Sequence, residues 1–212
     1  LSKVNIPSER VSGVNGHHLD KYSYSINTEN NNLSSLEIAC TLSHIKAILS
    51  LTSVEGEYFL IVEDDIILDN VYMFKQDLKT IINNCPSFDI LMLYKTFIDG
   101  VLTKLYTNWN DLEFKPGGAV AYVISRKGIN KFSEYNKINI NNEHIKFHTT
   151  KPFSVSDDYI YKYLNTYVFK YNYITTYPLI QSTIHQHSKT HLLVEQYNNL
   201  DMQYKYFYDD DN

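Results

Sequence analysis

Three consecutive acidic residues, Glu63, Asp64 and Asp65, directly follow an apolar run at residues 58–62. Such a run is typical of a strand buried on both faces of a parallel sheet, and ligands of open α/β sheets bind at the carboxyl ends of strands. Adjacent carboxylates repel one another, so we expect a compensating cation, for which carboxylate oxygens favour Mg²⁺ or Mn²⁺. A cation that also holds a diphosphate would suit a sugar-nucleotide donor. The alternative is an exposed acidic turn.

A second acidic pair, Asp157 and Asp158, follows Ser156, which is predicted to cap a helix over residues 157–164. Acidic side chains in a first turn stabilise the helix dipole. One of the two could instead act as a general base that removes a proton from a hydroxyl group. Both interpretations stay open on the sequence alone.

Three further groups of residues are candidates for the functional site. They are Ser43–His44 within a predicted helix, His185, His187 and His191 near the C-terminus, and Gly117–Gly118. The late histidines are candidate metal ligands, with a surface cluster as the alternative. The glycines would let backbone approach a ligand closely, or they simply form a turn. Tyr94 and Trp109 are candidates for stacking on a base or sugar ring.

Composition narrows the class of protein. The 212 residues fit one domain, and the net charge of −5 without a Lys/Arg cluster argues against nucleic-acid binding. No apolar run approaches the roughly 20 residues of a membrane span, and no signal peptide is recognised. Cys40, interpreted as core packing, and Cys85 lack metal-site spacing, so we expect a reducing, cytoplasmic location. The acidic tail 209–212 is interpreted as a solvated end.

Strands and helices are predicted to alternate, which favours an α/β fold. Helices are expected at residues 36–51 (with a capping box from Ser34 and Glu37), 71–83, 126–135 (capped by Ser125) and 157–164, and strands at 58–62, 89–94, 119–124 and 166–170. Residues 8–32 are expected to form loop with at most short strands, and residues 136–151 a polar stretch without an element.

Five short segments occur in a characteristic order: residues 9–16 (ERVSGVNG), 37–44 (EIACTLSH), 60–65 (LIVEDD), 117–125 (GGAVAYVIS) and the acidic pair 157–158. In this order the chain resembles glycosyltransferase family 25, the lipooligosaccharide and procollagen galactosyltransferase family. The counterparts there are a segment ending in Ala-Val-Asp-Gly, a Gly-Cys-x-x-Ser-His helix start, Leu-Glu-Asp-Asp, Gly-x-x-Ala-Tyr-x-x-Ser and an acidic pair. The resemblance runs from about residue 9 to 190.

The resemblance implies a GT-A-like, Rossmann-related domain over residues 1–212, with a mixed, mostly parallel sheet flanked by helices. It implies an inverting, metal-dependent hexosyltransferase that uses a UDP-sugar, galactose or glucose, and a saccharide or hydroxylated protein acceptor. The implied metal ligands for Mn²⁺ or Mg²⁺ are Glu63 and Asp65, with His185 and His187 as late additions. Donor-binding residues would be Ser43, His44, Glu63, Asp64, Gly117 and Gly118, and catalytic residues Asp157 and Asp158.

Two features depart from the family pattern. Ala39 stands where the family commonly has Gly, and the first nucleotide-binding strand, of the type Ile-x-Leu, is missing ahead of Leu1. The second departure keeps open a non-catalytic glycan- or nucleotide-binding remnant of the same fold. A metal-dependent phosphohydrolase is a third interpretation, because strand-end carboxylates also suit that chemistry.

Overall fold

The computed structural model describes residues 7–28, 33–68, 71–72, 74–96, 102–141 and 144–176. Its helices are α1 Ser35–Ser50, α2 Leu78–Asn84, α3 Arg126–Tyr135 and α4 Ser156–Lys162. Its strands are β1 Tyr22–Thr28, β2 Tyr58–Val62, β3 Ile66–Ile67, β4 Ile90–Met92, β5 Tyr106–Asn108, β6 Ala121–Ser125, β7 Asn136–Asn141, β8 His144–Phe153, β9 Thr166–Phe169 and β10 Thr175–Thr176. The expectation of a mixed α/β protein is confirmed.

Among the described residues, the main sheet has five strands in the order β2-β6-β4-β9-β5. In this part of the chain only β4 and β9 of that sheet pair in parallel, and its other three pairings are antiparallel. The prediction of a mostly parallel sheet is therefore wrong. Apolar runs such as 121–125 indicate that both faces of a sheet are covered, but they carry no information on strand direction.

Strand β2 lies at the edge of this sheet in the described part of the chain, antiparallel to β6. Its side chains alternate between two hydrophobic clusters: Phe59 and Ile61 pack on one side, Leu60 and Val62 on the other. Both faces are thus packed as expected, yet the edge position leaves the strand only partly buried. The Glu63 N–H donates to Val120 O at 2.8 Å, so the pairing continues into the acidic turn.

Helix α1 forms as its sequence predicts. Ser34 and Glu37 complete the capping box, with side chain to backbone bonds in both directions. The helix buries Leu42 and Ile48 completely and packs against α3 and α4. It thereby presents a second face, with Cys40 and His44, toward the end of β2. No helix of the described segments is long and apolar enough to cross a membrane.

Two other helix boundaries differ from expectation. Helix α2 begins at Leu78, not 71, because Asp77 takes the N-cap position and accepts from Thr80 N. Helix α4 begins at Ser156 with Val155 as its N-cap, so the predicted cap by Ser156 is wrong. Ser125 does cap α3, accepting from Gly128 N at 3.1 Å.

A second sheet, in the order β1-β8-β7, occupies residues that were predicted as loop with at most short strands (8–32) and as a polar stretch without an element (136–151). Ile138, Ile145 and Phe147 pack on the larger hydrophobic cluster, while polar residues between them, such as Asn139 and Lys146, are exposed. This alternation has the period of two that marks a half-buried strand. This alternation was missed in the sequence because residues 136–151 are mostly polar.

One buried cation affects stability in a testable way. Lys95 is 3% exposed, and its Nζ donates to Asn172 Oδ1 at 3.1 Å and to Phe169 O at 3.4 Å. Burial lowers the pKa of Lys95 to about 7. The unfolded chain binds this proton up to about pH 10. The cost of burying the amine is therefore fully present below pH 7 and is relieved as pH rises toward 10.

We expect Lys95→Met to raise the free energy of unfolding by about 1–4 kcal/mol at pH 6, and by less at pH 9. Asn172 Oδ1 keeps a donor in the variant, since it also accepts the backbone N–H of residue 95. The matched variant is Lys131→Met, which would remove the ion-pair partner of Asp89, a carboxylate that is 1% exposed. That variant should be destabilised instead. Urea unfolding at both pH values measures this, and a Lys95→Met protein less stable than wild type at pH 6 would refute it.

Candidate active site

The candidate site lies where β2 ends against α1. His44 comes from the third turn of α1 and is 6% exposed. Its Nε2 lies 3.2 Å from Glu63 Oε1, and its Nδ1 lies 3.1 Å from the hydroxyl of Tyr122. Because Tyr122 stands on β6 opposite Ile61, the strand register itself delivers both partners of the histidine. The imidazole is therefore held at both nitrogens.

The electrostatics of this pair favour a charged histidine. Burial alone would lower the pKa of His44, but Tyr122, Cys40 and the Glu63 carboxylate together raise it well above its ordinary value. Burial also raises the pKa of the Tyr122 hydroxyl. An imidazolium next to a half-buried carboxylate gives a site that is polar and locally charge-balanced.

The turn formed by Gly117 and Gly118 is tied to the first turn of α4. Asp157 accepts from Gly118 N at 2.8 Å through Oδ2, and from Ala119 N at 2.9 Å through Oδ1. A Cβ on Gly117 would lie 2.7 Å from Asp157 Oδ2. Gly118 has a φ of +107°, and a Cβ there would lie 2.8 Å from the Tyr94 ring. Gly118 therefore requires glycine for both conformation and packing, whereas Gly117 is constrained by packing against Asp157 alone.

Two tyrosines and a cysteine connect the His44–Glu63 pair to the glycine turn and α4. The Tyr161 hydroxyl donates to Gly118 O at 3.1 Å, and its ring meets that of Tyr122 edge-on, with centroids 6.1 Å apart. On the other side, Cys40 Sγ lies 3.6 Å from Ser156 Oγ, which also contacts Asp157. The chain of contacts from Glu63 to α4 is thus continuous.

The acidic triplet does not point in one direction. The Glu63 side chain, 34% exposed, faces His44, whereas Asp64 is 88% exposed and lies 3.6 Å from the equally exposed Arg10. Asp65 is half-buried in the turn. Carboxylate oxygens of Glu63 and Asp65 have the chemistry that Mn²⁺ or Mg²⁺ prefers, and such ions need only one or two carboxylates when phosphate and water complete the shell.

Other predicted site residues lie elsewhere. Ser43 Oγ accepts from Val14 N at 2.8 Å and donates to Ala39 O, so it ties the N-terminal loop to α1. Asp158 is exposed beside Asp157 on α4. Trp109 and Tyr94 are 4% and 1% exposed, so their rings are core residues here and not stacking surfaces. His185, His187 and His191 lie outside the described residues.

Sequence reasoning missed three participants. Tyr122 was part of the 117–125 motif but was given no role, and Tyr161 was not considered. Cys40 was assigned to the core, although it is only half-buried and lies beside His44. The i, i+4 spacing of Cys40 and His44 was the available signal, since it places both side chains on one helix face. Tyr122 occupies the tyrosine position of the 117–125 motif, whereas Tyr161 carried no such signal in a chain with 19 tyrosines.

The fold and site define a mixed α/β protein with a carboxylate, a histidine and a glycine turn converging at one end of its main sheet. The sequence profile of glycosyltransferase family 25 (LPS biosynthesis protein) matches residues 1–149, and the chain belongs to this family. The resemblance is thereby confirmed, and membership implies glycosyltransferase activity with a sugar donor and an acceptor. The match includes Glu63 and Gly118 but ends before α4. No curated protein and no solved structure matches the chain.

Proposed function

We propose that the protein is an inverting hexosyltransferase that moves galactose or glucose from a UDP-sugar to a saccharide or hydroxylated protein acceptor. The observation that carries the proposal is the convergence of Glu63, the Gly117–Gly118 turn and the α4 acids at one end of the sheet in a family 25 chain. This arrangement offers carboxylates that could hold a cation for a diphosphate on one side, and a carboxylate base on the other.

Glu63 and Asp65 would hold Mn²⁺ or Mg²⁺ through carboxylate oxygens. Such an ion would neutralise the charge that develops on the departing diphosphate. His44 orients Glu63 from the protein side, since the two atoms are 3.2 Å apart and the ring is fixed by Tyr122. The late histidines, His185 and His187, remain proposed additional ligands.

In the transfer, the bond between the acceptor oxygen and the anomeric carbon forms as the bond from that carbon to the diphosphate oxygen breaks. UDP leaves, and the acceptor proton passes to a base on the opposite face. Both oxygens of Asp157 already accept backbone N–H groups. Asp158 lies exposed on the same turn, where an acceptor hydroxyl could reach it, and is our candidate for the base, while Asp157 positions the glycine turn.

We expect UDP to bind at least about tenfold more tightly with Mn²⁺ or Mg²⁺ than in excess chelator, because uncompensated carboxylates repel the diphosphate. Calorimetric titration of the same protein sample with and without metal measures the difference. Equal affinity in the two conditions would contradict the proposed metal-assisted donor site.

A further inference from the structure

A three-donor cluster joins α1 to the end of β2. Cys40 and His44 are separated by one helical turn and share a face of α1. With Glu63 they offer one sulfur, one nitrogen and one oxygen ligand atom, all within 4.8 Å of one another. Within the described segments, this is the group that brings three such donors together. Its donor types differ from the all-oxygen set expected for Mn²⁺ or Mg²⁺.

We propose that Cys40, His44 and Glu63 form a binding site for Zn²⁺ or a similar thiophilic divalent cation. Zinc takes thiolate, imidazole and carboxylate ligands at about 2.0–2.3 Å, which places tetrahedral ligand atoms about 3.3–3.7 Å apart. The His44 Nε2 and Glu63 Oε1 atoms, at 3.2 Å, lie just below the short end of this range. The Cys40 Sγ lies within 4.8 Å of both atoms, so a displacement of its side chain by about 1 Å would complete the ligand set, with water in the fourth position.

The surroundings orient the ligands as metal sites require. When the metal displaces the Nε2 proton of His44, the remaining Nδ1–H donates to the Tyr122 hydroxyl and the Nε2 lone pair faces the metal position beside Glu63. Such an outer hydrogen bond fixes the tautomer and ring orientation of metal-binding histidines. Cys40 Sγ is held 3.6 Å from Ser156 Oγ, which can donate to a thiolate.

Charge also favours this cation. On binding, the Cys40 thiol and the His44 imidazolium each release a proton to solvent, because a coordinating thiol is deprotonated and a ligating histidine is neutral. One thiolate and one carboxylate then balance the two positive charges of the metal, with a neutral imidazole as third ligand. A half-buried site with no residual charge avoids the desolvation cost of an isolated ion.

Cobalt(II) titration of the purified chain tests the proposal, since Co²⁺ substitutes for Zn²⁺ and reports its ligands by absorption. We expect one equivalent to produce a sulfur-to-cobalt charge-transfer band in the near ultraviolet, which excess Zn²⁺ abolishes. Cys40→Ser should lose the band. Cys85→Ser is the matched control and should keep it, because Cys85 sits at the end of α2, outside the cluster.

Glu63→Gln should weaken the binding at least about tenfold, since even outer-shell changes cost this much. The proposal is overturned if no charge-transfer band forms, if the band survives Cys40→Ser, or if Glu63→Gln leaves the affinity unchanged. Cobalt bound by the late histidines alone would give no sulfur band. If the proposed function holds, Zn²⁺ bound to Glu63 should inhibit glycosyl transfer. The absorption measurement does not depend on the proposed function, so the two can fail separately.

Discussion

Glu63→Gln is expected to lower the turnover of a UDP-sugar by at least about a hundredfold, because removing one preorganised charged group from a reacting site typically costs 10²–10³. The amide keeps the size of the carboxylate and can still accept from His44 Nε2. The fold should therefore persist, with a melting temperature within a few degrees of wild type. Steady-state kinetics with thermal unfolding of the same samples measures both quantities.

Glu55→Gln is the matched control, since Glu55 is exposed in the loop before β2, at the opposite end of that strand. It should retain wild-type turnover. If Glu63→Gln also retains it, the end of β2 is not the donor site.

Glu63→Gln should also change how the free energy of unfolding depends on pH. The pKa of His44 is raised in the folded protein, so its contribution to stability is fully present below its unfolded pKa of about 6.5. That contribution is lost as pH rises through the raised folded pKa. Loss of the Glu63 charge should therefore destabilise the protein more at pH 6 than at pH 9.

Asp157→Asn and Asp158→Asn are expected to fail in different ways. Asp157 accepts two backbone N–H groups, from Gly118 and Ala119, and an amide can accept only one of them. The other donor would face an NH₂ group, so we expect a loss of about 2–4 kcal/mol in unfolding free energy. Asp158 is exposed, and its replacement should change stability by less than about 1 kcal/mol.

The effect on turnover should be larger for Asp158 than for Asp157, the reverse of the effect on stability. If Asp158 is the base, Asp158→Asn should lower kcat at least about a hundredfold with UDP affinity unchanged. Urea unfolding, kcat and UDP titration on both variants give the comparison. A stable Asp157→Asn protein would contradict the role of Asp157 in holding the glycine turn, and near wild-type kcat in Asp158→Asn would place the base elsewhere.

Local chemistry explains which parts of the fold were predictable. The capping box of Ser34 and Glu37, the Ser125 cap and the apolar run of β2 depend on neighbouring residues, so the sequence reveals them. Strand direction depends on which distant segments pair, and the antiparallel place of β6 between β2 and β4 has no local signature. The β7–β8 pair was missed because its core-facing residues, such as Ile138 and Phe147, alternate with many polar ones.

The site was predictable in part for the same reason. Glu63, His44 and Gly118 lie in recognisable motifs, and the structure brings them into one region. The contact between Asp157 and the glycine turn spans 39 positions along the chain. It follows from the packing of α4 against the start of β6, which the spacing of residues does not encode. The roles assigned to Asp65, His185 and His187 stay predictions.

Donor turnover by the unmodified chain tests the proposed glycosyl transfer most directly. A panel of UDP-sugars, incubated with and without Mn²⁺, is followed for release of UDP and free or transferred hexose. We predict metal-dependent UDP release from UDP-galactose or UDP-glucose, absent in Glu63→Gln and retained in Glu55→Gln. Binding of UDP without release from any sugar nucleotide, in the presence of metal and acceptor saccharides, would contradict catalysis and favour a nucleotide-binding remnant of the fold.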